Sequence, residues 1–538
     1  MKYLPSLKQR RTLLILIVFM LIGFGLRIAA CYWGYPYHLH PDEPTIVAKA
    51  IDMISRHSWE ANVYNRPDHF EIKCCAVLFQ IVSFLKYHVS ADVAFSSHEM
   101  AFYLIARGYT AIFGTLMIPL SYLLLEKCKK GSGLIGAGIV TFFTIFVEHS
   151  AYATPDIVLT FMVMLEAYIS LLYLDKPDKN KVIAMSIVAG LGITVKYTCA
   201  ICCLYIAFIV IYDCMKRKSY RKIFVWGLLA VGVVLFTCFF MAPNLFTNIS
   251  STISTLKKEA RTTHLGADGL GTFGNFCYYL RTFMKNIGNE IIVFEVIGLA
   301  YVLKSKNRNC ICIILGVLFW VCTSILALHW ERWGMPIYIF YVLVAALGIS
   351  YAFDLLKSLA ERIPQRSIIK SVQILLICFV CLLGVDIMLS GITKTMNKLS
   401  TDTRLTALDY CKENGITSDN SLADGYTPYK MKGSGTVPVN LDEDGMIVLG
   451  EDQANASYII LSSNMYNRYY AEPERYSSQV KMYDAIQEQC ELIAKFSPTS
   501  YKSSSWLFQD IVYKLKYICN YDEDTSSGNT ILIYRIVQ

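Results

Sequence analysis

The sequence predicts a mainly α-helical, polytopic membrane protein with about eleven transmembrane helices, followed by a small α/β domain outside the membrane. Three observations carry that prediction. The chain of 538 residues is 54% hydrophobic and only 17% charged, far more apolar than an average soluble protein. Its apolar residues come in runs, most of them long enough to cross roughly 30 Å of hydrocarbon as a helix. Lys and Arg collect in short clusters between the runs. That distribution reports topology and excludes a nucleic-acid role, despite a net charge of +8.

The first run, 12–33, follows Lys2, Lys8, Arg10 and Arg11 and ends in Ile28-Ala29-Ala30-Cys31, much like a signal peptide. Arg27 interrupts it, and it exceeds the usual signal core, so it reads as an uncleaved anchor helix. Further crossings are expected near 102–125, 133–151, 156–174, 181–197, 198–213, 223–242, 289–303, 310–328, 335–355 and 371–390. Basic clusters mark the N-terminus and the breaks at 126–130, 175–181, 214–222, 304–308 and 357–370. The break at 148–156 has no Lys or Arg, and 329–335 has only Arg332. The positive-inside rule therefore puts the N-terminus and the basic breaks in the cytoplasm. An odd number of crossings leaves the C-terminal part outside, in a multi-pass protein of the cell membrane.

The stretch 74–89 is apolar but short and contains Lys86, so it is expected to lie at the interface. Residues 34–101 then form a long outer loop with interfacial helices, and 243–288 a second outer loop. Both belong to a membrane domain of residues 1–392. Residues 393–538 have the composition of a soluble domain. Within it, 402–414 reads as a capped helix ended by Gly415, 458–462 and 530–537 as strands, and 483–496 as an amphipathic helix. Most of the 18 cysteines lie in apolar runs and act there as small hydrophobes. Cys411, Cys490 and Cys519 allow at most one bridge in the polar part. No internal repeat, nucleotide-binding Gly-rich loop or Cys/His metal spacing is present.

This topology sorts the unusual polar residues. His38, His40, Asp42 and Glu43 follow the outer end of the first crossing. His149 and Asp156 occupy the outer turn between the third and fourth. Lys196 and Tyr197 cap the fifth, and His329, Glu331 and Arg332 lie just past the ninth. Singly, each has a bland reading. The Asp-Glu pair suits a solvated loop, Asp156 a helix N-terminus, Lys196 a snorkelling helix end, and Arg332 an interfacial anchor between tryptophans. Together, at one depth on one side, they point to a single outer site combining carboxylates with cations. Glu166 and Glu295 fall within crossings and receive no role.

These segments resemble the C-type glycosyltransferase (GT-C) superfamily, in the branch of protein O-mannosyltransferases and ArnT-like lipid A aminoarabinose transferases. His40-Pro41-Asp42-Glu43 matches the acidic element of that branch's long first outer loop, and Pro155-Asp156 its second acidic element. Glu331-Arg332-Trp333-Gly334-Met335-Pro336 matches its late cationic loop. The segment from Gly190 through Thr194 to Lys196-Tyr197 looks like its Gly-Leu-x-x-x-Thr-Lys stretch. Asn65-Arg66-Pro67-Asp68-His69-Phe70 with Lys73 resembles the segment before the interfacial helix. The resemblance covers roughly residues 10–390, and the C-terminal domain departs from the mannosyltransferases.

The resemblance implies a glycosyltransferase that moves a sugar from a polyprenyl-phosphate donor to an acceptor hydroxyl on the outer face, by inverting displacement. Asp42 is the expected general base, with Glu43 or Asp156 orienting the acceptor or stabilising positive charge on the sugar. Arg332 and Lys196 are expected to hold the leaving phosphate. His40, His149, His329, Tyr197 and Lys73 are expected to bind substrate. No obligatory metal or other cofactor is expected, with a divalent cation on the phosphate left open. The expected partners are a polyprenyl-phosphate-linked sugar, an acceptor lipid, glycan or protein, and membrane lipids. The main alternative is a lipid or solute transporter or flippase, supported best by Glu166 and Glu295. Transporters, however, gather polar residues at the midplane in paired halves. A receptor or scaffold would account for the C-terminal domain alone.

Overall fold

A computed structural model describes residues 7–362, 366–428, 430–431, 433, 435–499 and 503–537. The anchor helix α1 (Leu7–Ala30) accommodates Arg27 by burying it completely against backbone. The guanidinium donates to the carbonyls of Gly23, Val140 and Thr141 at 2.9–3.1 Å, the usual way a charge is held among membrane helices. The first outer loop then supplies α2 (Glu43–Ser55) and α3 (His69–Tyr87). Helix α3 packs Ile72, Cys75 and Phe79 on α2 and on α4 (Ala91–Cys128) and leaves Val77, Ile81, Phe84 and Leu85 exposed. Apolar side chains thus occupy both its packed and its exposed face. Helix α4 begins inside the expected loop, with a break in its helical backbone at His98.

The bundle continues through α5 (Gly133–Phe142), α6 (Thr144–His149), α7 (Pro155–Asp175), α8 (Lys179–Val195), α9 (Ile201–Lys216) and α10 (Tyr220–Met241). The second outer loop carries α11 (Asn244–Thr247), α12 (Ile249–Glu259) and α13 (Gly271–Ile287). The chain re-enters the bundle with α14 (Ile291–Lys304), α15 (Ile313–Ser324), α16 (Met335–Arg362) and α17 (Arg366–Leu399). A helix stands at each of the eleven expected crossings. By length and composition, seven helices among the described residues are able to cross a membrane, or eight if the 119° bent pair α14–α15 counts as one span. The short ones are α5 and α6, parted at Phe143, together with α8, α14 and α15.

Close backbone approach compensates for the shortness of α14. A Cβ added at Gly298 would lie 2.0 Å from the Val344 carbonyl oxygen of α16, and one at Gly348 1.9 Å from that of Phe294. Small residues at a helix crossing let the two backbones touch and raise the dispersion gain per residue.

The two sets of breaks sort to opposite ends of the bundle. At one end Lys127 pairs with Asp175, Lys129 with Asp354 at 2.7 Å, and Asn307 donates to the Cys128 carbonyl at 2.7 Å. The other end gathers residues 31–43, 148–156, 196–197 and 329–335.

Helix α17 runs through the expected boundary at 392/393 before the chain turns into sheet. There β1 (Thr401–Asp402) leads into α18 (Thr403–Glu413), capped by Asp402 and followed by Gly415 at φ +66° as expected. Next come β2 (Ser421–Ala423), β3 (Asn440–Leu441), β4 (Ile447–Val448) and β5 (Tyr458–Ser462). These are followed by α19 (Ser463–Tyr470), α20 (Ser477–Gln489), β6 (Cys490–Phe496), α21 (Leu507–Cys519), β7 (Ser526–Ser527) and β8 (Ile531–Ile536). The main sheet has the order β2-β5-β8-β6, with β2 parallel to β5 and the other pairs antiparallel.

One reading is corrected here. The helix expected over 483–496 ends at Gln489, and its second half is strand β6. Cys490–Phe496 pairs antiparallel with β8, and Ile493 is the extra residue of a bulge between Leu492 and Ala494.

Gly348→Val would drive a branched side chain into the α14 backbone and is expected to cost about 1–3 kcal/mol or more. A lowered melting temperature of the detergent-solubilised variant checks this. Unchanged melting would refute the backbone contact.

Candidate active site

The acidic turn before α2 is built from local rules. Pro41 and Pro44 flank Asp42-Glu43, and a proline in the first helical turn loses no hydrogen bond there. Asp42 takes the N-cap position, and its backbone N–H donates to His40 Nδ1 at 3.2 Å. Its carboxylate projects into a cavity of about 400 Å³. Oδ1 accepts from Arg66 Nη1 at 2.8 Å, and Oδ2 is held by Arg332 Nη1. Across the cavity, the buried Asp156 at the start of α7 accepts from Lys196 Nζ at 2.7 Å. Lys196 also lies over the Trp333 ring, 5.8 Å from its centre. Residues 290 positions apart in the chain thus meet in one cleft.

Burial alone would raise the Asp42 carboxyl. Arg332, and after it Arg66, more than offset this and hold it well below the usual carboxylate range. Arg66 also donates from Nε to Asp68 at 3.0 Å. Asp68 is a non-glycine residue at φ +35°, a left-handed conformation that costs energy and here sets a carboxylate into the cavity wall. The lining therefore carries Asp42, Asp68 and Asp156 against Arg66, Lys196, Arg261 and Arg332. Among the described residues no three His, Cys, Asp or Glu side chains are grouped to hold a metal ion. An ion bridging Asp42 and Asp156 would have to displace Arg332 and Lys196.

A second cavity, of about 600 Å³, lies on the side of the C-terminal sheet. Asp42, Arg261, Trp330 and Arg332 line both, so the Asp42–Arg332 pair forms part of a common wall. His40 faces this larger cavity and stacks on Tyr152. Burial pushes its imidazole down to about 4, so it is neutral near pH 7. Glu148 lies in the same wall, held by Lys394 at 2.7 Å and Lys398 at 3.0 Å.

Glu43 stands apart from both cavities. It is fully buried, and Arg107 grips it with two parallel hydrogen bonds of 2.7 and 2.8 Å. The Ala153 N–H adds a third at 3.1 Å. Arg107 spends its remaining donors on the carbonyls of Cys31 and Trp33. Fully buried, and with both oxygens hydrogen-bonded, Glu43 has no access to substrate. Its expected place among reacting groups is replaced by a positioning role, because Arg107 in α4 neutralises it.

The other expected residues divide. Tyr197 lines the 400 Å³ cavity and donates to the Tyr64 carbonyl at 3.0 Å. His149 packs its ring edge against Tyr152 close to Asp156 and Arg332 but lines neither cavity. His329 packs on Tyr278, away from both. Lys73 is buried with its ammonium 4.6 Å from the Trp59 ring centre, and burial lowers it to about 8. It lines neither cavity. Glu166 is buried and Glu295 half-buried, both oxygens of Glu166 and one of Glu295 lacking hydrogen bonds, and neither lines the two cavities.

Four important residues were not singled out from sequence: Arg66, Arg107, Glu148 and Arg261. Arg107 had a signal, an ionisable residue inside an apolar helix. Arg66 sits in the quoted segment before α3. Arg261 lies in an ordinary polar loop and has no such mark.

Arg107→Ala leaves Glu43 buried and uncompensated and is expected to cost about 3–5 kcal/mol. Glu43→Gln, which keeps the shape and loses the charge, should be milder. Thermal unfolding of the purified variants checks the order, and equal stability of both with wild type would refute a positioning pair.

Residues 95–241 match the family described as dolichyl-phosphate-mannose-protein mannosyltransferase. Direct comparison with curated proteins finds no match. Among solved structures, the oligosaccharyltransferase AglB from Archaeoglobus fulgidus, in complex with an inhibitory peptide and a dolichol-phosphate, superposes with a TM-score of 0.53 at 12% identity. The match covers 99% of this chain and 89% of that one. Apo ArnT from Cupriavidus metallidurans superposes with a TM-score of 0.52 at 13% identity, covering 91% of this chain and 97% of that one. At such identities the likeness is one of fold. The chain has the GT-C fold, and its helices from α4 to α10 carry the profile of the mannosyltransferase family within it.

Proposed function

We propose that the protein is an integral membrane glycosyltransferase that moves a sugar from a polyprenyl-phosphate donor to an acceptor hydroxyl on the extracytoplasmic face. The observation that carries this reading is the position of Asp42. Its carboxylate lies in a wall common to two cavities and is paired with Arg66, which faces the smaller one, and with Arg332, which faces both. The 400 Å³ cavity takes the donor phosphate, on Arg332, Arg66 and Lys196. The 600 Å³ cavity admits the acceptor. The dolichol-phosphate in the AglB structure supports a lipid-phosphate donor in a bundle of this shape. The N-terminus is cytoplasmic in this reading, and the C-terminal sheet domain is outside.

The reaction is a displacement at the anomeric carbon. The acceptor oxygen bonds to that carbon as the bond to the phosphate oxygen breaks, with inversion if it occurs in one step. Asp42 takes the acceptor's proton, and the phosphate departs as an anion onto fixed positive charge without a general acid. Asp156, neutralised by Lys196 in the free protein, orients that lysine toward the phosphate.

A carboxylate clamped by two guanidinium groups is a weak base. The donor relieves this, since its phosphate competes with Asp42 for Arg332 and Arg66. Binding the donor therefore raises the basicity of the group that must next accept a proton.

The sign for pH follows. Asp42 is held low in the free protein, so kcat/KM for the donor should show no loss from it through the acidic range. Once the donor draws the cations away its carboxyl rises, so the acid limb of kcat should lie at higher pH. Arg66→Ala should shift the acid limb of kcat/KM upward. Coincident limbs in all three profiles would refute the exchange.

Asp42→Asn should lower transfer by about 10²–10⁴-fold, the usual share of a general base. Arg332→Ala should lower it on the order of 10²-fold. Release of polyprenyl phosphate from purified protein given a panel of polyprenyl-phosphate sugars measures both. Full activity in both variants would overturn the assignment.

A further inference from the structure

The larger cavity continues past the reacting pair. A further cavity of about 430 Å³ adjoins it through Leu39, Pro41, Arg404 and Tyr426, making a trench between the first outer loop and the C-terminal sheet. The trench has two kinds of cation. Lys398 is neutralised by Glu148, and Arg404 by Asp402 through bonds of 2.8 and 2.9 Å. Arg261 and Arg468 make no ion pair among the described residues. One belongs to the second outer loop and the other to α19, yet they converge on His264. Burial first, and then both guanidinium groups, press its imidazole below the ordinary value. Among the described residues, the outer 430 Å³ cavity has no carboxylate in its lining.

The arrangement around these two cations is also specific. Arg468 Cζ lies over the Tyr426 ring, 5.3 Å from its centre. Its stem passes Gly266, where a Cβ would come within 3.6 Å of Arg468 Cγ and where φ is +71°. His264 packs edge-on against Trp330 at 4.7 Å, while Trp33 is buried, with Lys398 4.4 Å and Arg404 5.4 Å from its ring centre. Side-chain amides of Asn397, Asn464 and Asn529 complete the polar lining. Flat aromatic faces suit the C–H faces of pyranose rings, and amides suit their vicinal hydroxyls. A planar guanidinium without a partner suits a carboxylate or phosphate.

We infer that the acceptor is an anionic glycan. Its sugar rings lie against Trp330 and the rim of Tyr426, and its acidic groups meet Arg261 and Arg468 while one hydroxyl reaches Asp42. This rests on the transferase reading above and names the acceptor class for it. The wall common to both cavities explains how an acidic polymer is kept from the donor phosphate. Arg332, which lines both cavities, stands between the two anions and screens each from the other.

The test uses full-length protein in lipid nanodiscs and three probes. These are a galacturonate hexasaccharide, the same hexasaccharide with its carboxyl groups reduced to alcohols, and a hexaglutamate peptide. Titration calorimetry should find binding of the acidic sugar that weakens with added salt, with the reduced sugar and the peptide each about tenfold weaker or worse. Arg468→Ala should weaken the acidic sugar about tenfold, and Arg468→Lys, which keeps charge but loses the fork, should recover part. Equal binding of acidic and reduced sugars to the wild-type protein overturns the inference, as does peptide binding that matches the acidic sugar.

A donor assay separates this from the parent reading. Release of polyprenyl phosphate without any preference for acidic sugars overturns the acceptor class alone. Charge-selective sugar binding without release from any donor overturns the transferase reading and leaves the trench an anionic-glycan site.

Discussion

The buried Glu43–Arg107 pair is the constraint on which the rest of the site depends. Placing two full charges among membrane helices costs several kcal/mol per ion unless every donor and acceptor is matched. Here they are matched, by a bidentate contact, two carbonyls just after α1 and one N–H of the turn between α6 and α7. Any shift of these elements would leave part of the pair unsatisfied. The penalty for misplacement is thus high, which makes the relative positions of the first outer loop, α4 and the start of α7 well defined. Asp42 and Asp156 inherit that definition, one being the neighbour of Glu43 and the other lying three residues past Ala153.

Above that anchor the site is a balance of charges kept close to neutral. Each carboxylate of the smaller cavity faces a cation, which lets three acids sit together without forcing any metal between them. The same balance makes the site responsive to an incoming phosphate. A phosphodiester anion entering among Arg66, Lys196 and Arg332 redistributes their charge at the expense of Asp42 and Asp156, and the second charge that appears as the phosphate departs does so further. In the proposed reaction this couples donor binding to base strength, with no moving segment required. The exchange takes place in a partly desolvated cleft, where Coulomb terms are stronger than in water.

Much of the molecule was legible in the one-dimensional pattern. Apolar runs located the helices, because a chain in hydrocarbon must satisfy its backbone internally. Basic clusters separated the two ends, and ion pairs such as Lys129–Asp354 join the breaks they mark. Pro41, Pro44 and Pro155 placed the acidic residues at helix starts. The strand at 458–462 and the helix capped by Asp402 followed from short-range rules. The failure at 483–496 also has a local cause: the consecutive Leu492, Ile493 and Ala494 break the two-residue period of a strand, and only pairing with β8 across a bulge makes this segment one.

What the sequence by itself determined is therefore the set of helices, the two ends of the bundle and the collection of Asp42, Asp156, Lys196 and Arg332 at one of them. Tertiary structure alone decided which carboxylate is free to act. Asp42 and Glu43 are adjacent and chemically alike, but a helix turns by about 100° per residue, so one points into the cleft and the other at Arg107. Tertiary structure likewise recruited Arg66, Arg261 and Arg468 from loops and helices whose composition marks nothing. Proximity between distant segments is a property of packing, and no residue carries it in its own name.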